Sequence, residues 1–215
     1  AETVSLLAYS PDGRFLAMAG GATDAKDTNS FLRLLNVETL ADEVTLPVRQ
    51  AVLSMAFSPD SQQLATFGSD IHLWNLATRA VVKTLRDHVQ PVGNRSVLEF
   101  SPDGSLLASA GYDSRVILWD TTTWQVVHRL SGHQGMLVSL TFSPDGRRLV
   151  SCGPVTNRCN LWDVETGQPL AKFNGITAAF SPDGKTLAVG GFVPYQIPDT
   201  WPSECTSVKL YRGTR

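Results

Sequence analysis

The sequence predicts an all-β protein: a β-propeller of five repeats, four complete four-stranded blades and a three-stranded fifth, standing alone or as part of a larger propeller. Three observations predict it. A Ser-Pro-Asp turn recurs five times at near-even spacing, each copy lies between two short apolar runs, and helical periodicity is absent.

The turn stands complete, as Ser-Pro-Asp-Gly, at Ser10–Gly13, Ser101–Gly104, Ser143–Gly146 and Ser181–Gly184. A fifth copy, Ser58–Ser61, carries Ser in place of Gly, and the successive spacings are 48, 43, 42 and 38 residues. Proline presets φ, Asp bonds the backbone two residues on, and Gly accepts positive φ without steric cost, so the four residues join two strands into a hairpin. The first strand of each pair ends in an aromatic: Tyr9, Phe57, Phe100, Phe142 and Phe180. The second is apolar: Phe15–Ala19, Leu64–Phe67, Leu106–Ala110, Leu149–Cys152 and Leu187–Val189. A third strand follows in every copy and ends in Leu-Trp at Trp74, Trp119 and Trp162, with Leu35 and Tyr211 at that place in the outer copies. Four copies continue into a fourth strand: Glu43–Val48, Ala80–Leu85, Gln125–Leu130 and Pro169–Phe173. Approximate repeat boundaries are 1–49, 50–86, 87–131, 132–174 and 175–215.

On these residues the chain resembles the WD-repeat family, in the style of bacterial and filamentous-fungal members. The family pattern runs Gly-His, strand, Ser-Pro-Asp-Gly, strand with Ser, Asp turn, strand ending Trp-Asp. The resemblance implies a hydrogen-bonded set inside a blade, formed in the third repeat by His88, Ser109, Asp113 and Trp119. The fourth repeat has His133, Ser151 and Trp162 but lacks the turn Asp, for which Asn157 is the candidate stand-in. It further implies a non-catalytic protein-interaction scaffold or sensor module whose protein partner is unidentified. Small-ligand or glycan binding, through the propeller channel or the segment 192–206, is the alternative.

The residues exclude several other classes. A net charge of −2 and no Lys/Arg cluster give no nucleic-acid footprint. No apolar run approaches the length that crosses a bilayer. No helix follows a Gly-rich loop, no metal-ligand spacing occurs, and no cofactor is expected. Ser, His and Asp in one repeat invite a catalytic-triad reading, but burial against Trp is the stronger one. With three cysteines there is no disulfide framework. Cys152 and Cys159 flank a hairpin loop; reduced thiols are expected there, with pairing as the other reading. The expected location is the cytoplasm, with a secreted or periplasmic one left open.

Binding residues on such scaffolds concentrate in loops. The segment 192–206 is long and unusually rich in aromatics and proline, so Phe192, Tyr195, Ile197 and Trp201 are the candidate partner contacts. A loop folded back to plug or cap the propeller is the competing reading. The third strand of the fifth repeat, Ser207–Arg212, is expected to expose an edge that accepts a strand from another chain or from further repeats. Three assemblies are open: a segment of a longer propeller, completion between chains, or a five-bladed ring.

Overall fold

A computed structural model describes residues 3–21, 30–39, 42–48, 50–88, 96–192 and 206–212. It contains nineteen strands in five antiparallel sheets and, among the described residues, no helix. The first sheet holds β1 (Val4–Tyr9), β2 (Phe15–Gly20), β3 (Phe31–Asn36) and β4 (Asp42–Leu46). The second holds β5 (Ser54–Phe57), β6 (Gln63–Phe67), β7 (Ile71–Asn75) and β8 (Ala80–Leu85). The third holds β9 (Val97–Phe100), β10 (Leu106–Ala110), β11 (Val116–Asp120) and β12 (Val126–Leu130). The fourth holds β13 (Ser139–Phe142), β14 (Arg148–Gly153), β15 (Arg158–Asp163) and β16 (Pro169–Asn174). The fifth stops at three: β17 (Thr177–Phe180), β18 (Thr186–Phe192) and β19 (Thr206–Arg212). Strand order follows sequence order in every sheet, which is the up-and-down blade of a propeller.

One local device folds every first hairpin. In the fourth sheet the Ser143 hydroxyl donates to Asp145 Oδ1 at 2.5 Å and accepts the Arg148 N–H at 2.9 Å. Asp145 Oδ1 also accepts the Arg147 N–H, and the Gly146 N–H donates to the Ser143 carbonyl. The bonds of Ser10, Ser58, Ser101 and Ser181 repeat this arrangement. Gly146 takes φ 71°, and Ser61, the one non-glycine at this place, takes φ 58°. A second device closes the last hairpin. The residue after each Trp position is Asn or Asp, and its side-chain oxygen accepts backbone N–H groups two or three residues on: Asn36, Asn75, Asp120 and Asp163. The register shifts just before that position in all four complete sheets, at Leu34/Leu35, Leu73/Trp74, Leu118/Trp119 and Leu161/Trp162.

The sheets stack face to face, and the core lies between them. Ala17, Leu32 and Leu34 of the first sheet pack on Phe57, Leu64 and Trp74 of the second. Phe67, Ile71 and Leu73 pack on Leu98, Phe100 and Trp119. Val116, Leu118 and Leu130 pack on Leu140, Phe142 and Trp162. Val150, Cys159 and Leu161 pack on Leu187, Val189 and Tyr211. Alternation along each strand sends one set of side chains forward and the other back, so each sheet is apolar on both faces. Inner strands also bond across the seams: Ser54 Oγ accepts the Leu98 N–H, and Glu99 Oε1 accepts the Phe142 N–H.

Two expectations are corrected. Cys152 and Cys159 are joined by a disulfide and are not free thiols. They are directly opposed across the β14–β15 pair with Cα atoms 4.0 Å apart, a proximity that only the strand register creates. The second strand of the fifth repeat does not stop at Val189: β18 runs on through Gly190 and Gly191 to Phe192, and glycine at 191 permits a close approach to Gly175 where a side chain would collide.

Candidate functional site

The third sheet assembles a buried chain of four side chains. Ser109 on β10 and Trp119 on β11 project from the same face, since Ser109 opposes Ile117, two residues before Trp119. The Trp119 indole N–H donates to Ser109 Oγ at 2.8 Å. His88 comes from the segment that leaves β8, so it enters between the second and third sheets, its ring 5.1 Å from that of Phe67. His88 Nε2 lies 2.8 Å from Ser109 Oγ, and Nδ1 lies 3.0 Å from both carboxylate oxygens of Asp113. With the ring proton on Nδ1, donation runs one way: Trp119 to Ser109, Ser109 to His88, His88 to Asp113. The His88 and Asp113 side chains are 6% and 7% exposed and Ser109 is fully buried.

The fourth sheet builds the same chain without its last link. The Trp162 indole N–H donates to Ser151 Oγ at 2.8 Å, and Ser151 Oγ lies 2.7 Å from His133 Nε2. Burial holds the His133 ring well below its ordinary value, at about 4, so it is neutral near pH 7. Asn157 occupies the β14–β15 turn at φ 49°, with its Oδ1 toward Gly191.

The other sheets replace these positions in concert. In the second, Thr66 stands in register for Ser and accepts the Trp74 indole N–H at 2.9 Å. In the fifth, Val189 and Tyr211 hold the Ser and Trp positions. Ile176 there stands three residues after Phe173, as His88 does after Leu85. In the first, the register puts Met18 and Leu35 there. Where the Ser is lost its polar partners are lost too, which leaves no buried donor without an acceptor at these positions.

Residues 79–120 and 124–163 match the family described as WD domain, G-beta repeat. These segments are WD repeats. The chain is also 35% identical over 144 residues to the chromatin assembly factor 1 subunit FAS2 homolog of Oryza sativa subsp. japonica, covering 59% of this chain and 28% of that protein. It is 27% identical over 166 residues to the COMPASS component SWD3 of Saccharomyces cerevisiae, covering 75% and 49%. It is 32% identical over 152 residues to the guanine nucleotide-binding protein subunit beta-1 of Caenorhabditis briggsae, covering 65% and 43%. The matched region is thus under half the length of each of these relatives.

Of the loop residues expected to contact a partner, Phe192 has a described backbone at the end of β18. Its side chain, and Tyr195, Ile197 and Trp201, lie outside the described residues.

Two features escaped the sequence reading. One is a cleft of about 290 Å³ on the second sheet, lined among others by Thr66, Asp70, His72, Trp74 and Arg86. Arg86 Nε lies 2.9 Å from Asp70 Oδ2, and burial lowers the His72 pKa against the opposing charge of Asp70. The position three residues past Leu46, where the WD repeats carry histidine, is Arg49, outside the described residues. The other is Glu99, on an inner strand where the register-equivalent residues are Ala8, Ala56, Thr141 and Ala179. Burial raises its pKa to about 7, opposed by the Phe142 N–H. The visible signal was a carboxylate inside the apolar run Val97–Phe100.

Proposed function

We propose that this chain is a non-catalytic interaction scaffold whose WD repeats hold variable loops in fixed positions for a protein partner. One observation carries the reading. Ser109, His88 and Asp113 have the spacing of a hydrolytic triad, yet the Ser109 hydroxyl is fully buried and already accepts the Trp119 indole N–H. A nucleophile needs an open face for a carbonyl carbon and donors for the resulting oxyanion. The four residues therefore act as a clasp between sheets. His133, Ser151 and Trp162 do the same one sheet later.

The relatives support the class through their names, which describe a chromatin assembly factor subunit homolog, a COMPASS component and a guanine nucleotide-binding protein β subunit. We assign partner contact to the segment 192–206, on the strength of its composition, with Tyr195 and Trp201 as anchors. We place strand acceptance at the outer edge of β19, which has a neighbour only in β18 among the described residues. No helix of the described residues is long and apolar enough to cross a membrane. A disulfide persists in oxidising compartments, so the redox state of Cys152 and Cys159 in extracts decides between the cytoplasm and an exported location.

The test is affinity capture from the source organism with the wild-type chain and with the Tyr195→Ala/Trp201→Ala variant. Wild type is expected to retain specific proteins that the folded double variant loses. Retention by both would remove the loop assignment. Specific retention of glycans in place of proteins would overturn the scaffold reading.

A further inference from the structure

The second repeat holds three parts of the clasp without its histidine. The Trp74 indole N–H donates to Thr66 Oγ1 at 2.9 Å, as Trp119 donates to Ser109 and Trp162 to Ser151. Asp70 stands four residues after Thr66, in the turn between the second and third strands, as Asp113 stands four after Ser109. His88 and His133 each stand three residues past the last leucine of the preceding sheet, and the same count from Leu46 reaches Arg49.

The Thr66 hydroxyl is the decisive group. Thr66 is 2% exposed, and its oxygen already accepts the indole N–H, so its own proton needs an acceptor. In the third and fourth sheets that acceptor is histidine Nε2, at 2.8 and 2.7 Å from the serine oxygen. An arginine cannot take that part, because a guanidinium has donors only. His72 comes near, its ring centroid 6.3 Å from that of Trp74, against 6.4 Å between His133 and Trp162. Yet among the described residues Thr66 Oγ1 bonds only Trp74.

Beside Thr66 lies the cleft of about 290 Å³. That is the small end of ligand pockets, and suits one side chain. Its wall offers the Thr66 hydroxyl proton, the Asp70 carboxylate, and apolar surface from Trp74 and Val81. Arg86 Nε holds Asp70 Oδ2 at 2.9 Å, which leaves Oδ1 to accept an N–H. The Arg86 side chain is 70% exposed at the rim, where its terminal N–H groups can meet main-chain carbonyls of a bound peptide.

We propose that this cleft receives the imidazole of a histidine presented by a partner protein, which completes the second clasp from outside the chain. Among protein side chains, neutral imidazole alone carries a bare nitrogen for the Thr66 proton and an N–H for Asp70 on one flat ring. His88 bridges Ser109 and Asp113 in that way. The site uses no residue of segment 192–206, so the two contacts stand or fall separately.

NMR titration of the complete chain with acetyl-Gly-His-Gly-amide, read at the Trp74 indole N–H, tests this. Trp74→Phe identifies the signal. A saturable shift is expected with the histidyl peptide and not with its phenylalanyl or glutaminyl analogue. Asp70→Ala, at a partly exposed position, is expected to keep the fold by circular dichroism and weaken binding by roughly tenfold or more, the loss of one charge-assisted bond. Thr66→Ser keeps the hydroxyl and is expected to keep binding. Free imidazole lacks main-chain carbonyls and is expected to bind more weakly than the peptide. Equal affinity for free imidazole would overturn the partner assignment. An indole signal that the histidyl peptide leaves unmoved overturns the whole proposal, and its movement on Arg49→Ala would then show the cleft filled by the chain itself. Undiminished binding by Asp70→Ala overturns it as well.

Discussion

Ser109 is the residue on which the third-sheet clasp turns, because one hydroxyl serves two partners. It accepts from Trp119 and donates to His88. Ser109→Ala strands a buried indole N–H and a ring nitrogen together, each worth about 1–3 kcal/mol when left unsatisfied. The urea midpoint should fall by the equivalent of about 2–4 kcal/mol, with no change in slope. Two half-buried titratable groups set opposite pH dependences. His133 has its pKa depressed from 6.5 to about 4 in the fold, so between those values the unfolded chain binds more protons. Its contribution is complete above pH 6.5 and is lost as pH falls toward 4. Glu99 is raised from 4.5 to about 7, so the folded chain holds the extra proton, and stability is lost as pH rises through that window. Thermal melts from pH 4 to 8 should show Glu99→Gln flattening the neutral side of the profile and His133→Gln the acid side.

At the scale of elements, the Ser-Pro-Asp-Gly hairpins and the post-Trp Asx turns are self-sufficient, each bonding its own backbone. Gly146→Ala tests the first device. The added methyl meets only an ordinary contact, Pro102 Cδ at 3.9 Å, so its cost is the φ of 71° alone. A loss of about 1 kcal/mol in denaturant titration is expected. A larger loss would show that the turn is also packed. The β14–β15 disulfide closes a short loop, for which chain entropy gives a stabilisation of about 2 kcal/mol. Thiol counting in denaturant without reductant should find one of the three cysteines free, Cys205, and reductant should lower the unfolding midpoint.

At the scale of the molecule, stability is approximately a sum of nearest-neighbour seams, since each apolar cluster of the described residues joins two consecutive sheets. The third and fourth repeats carry the histidine clasps, the second keeps a Trp74–Thr66 bond, and the first and fifth sheets put Met18/Leu35 and Val189/Tyr211 at the same positions.

The five turns and the order of strands were legible from sequence, because each depends on short-range spacing. The His88, Ser109, Asp113 and Trp119 set was an expectation taken from the family resemblance, and the fold brings the four side chains within hydrogen-bond reach. A hairpin turn needs its four residues and nothing else, and alternation alone tells which strand residues share a face. Three things were decided only by tertiary structure. Cys152 meets Cys159 because β14 and β15 pair in one register and not the next. Glu99 is a half-buried carboxylate with a raised pKa because a neighbouring sheet takes water away from it, an effect that the Phe142 N–H from the same sheet opposes. Leu98 and Leu140 are buried because the preceding sheet stands against them. Burial is a property of what stands opposite a residue, and no local pattern encodes that neighbour.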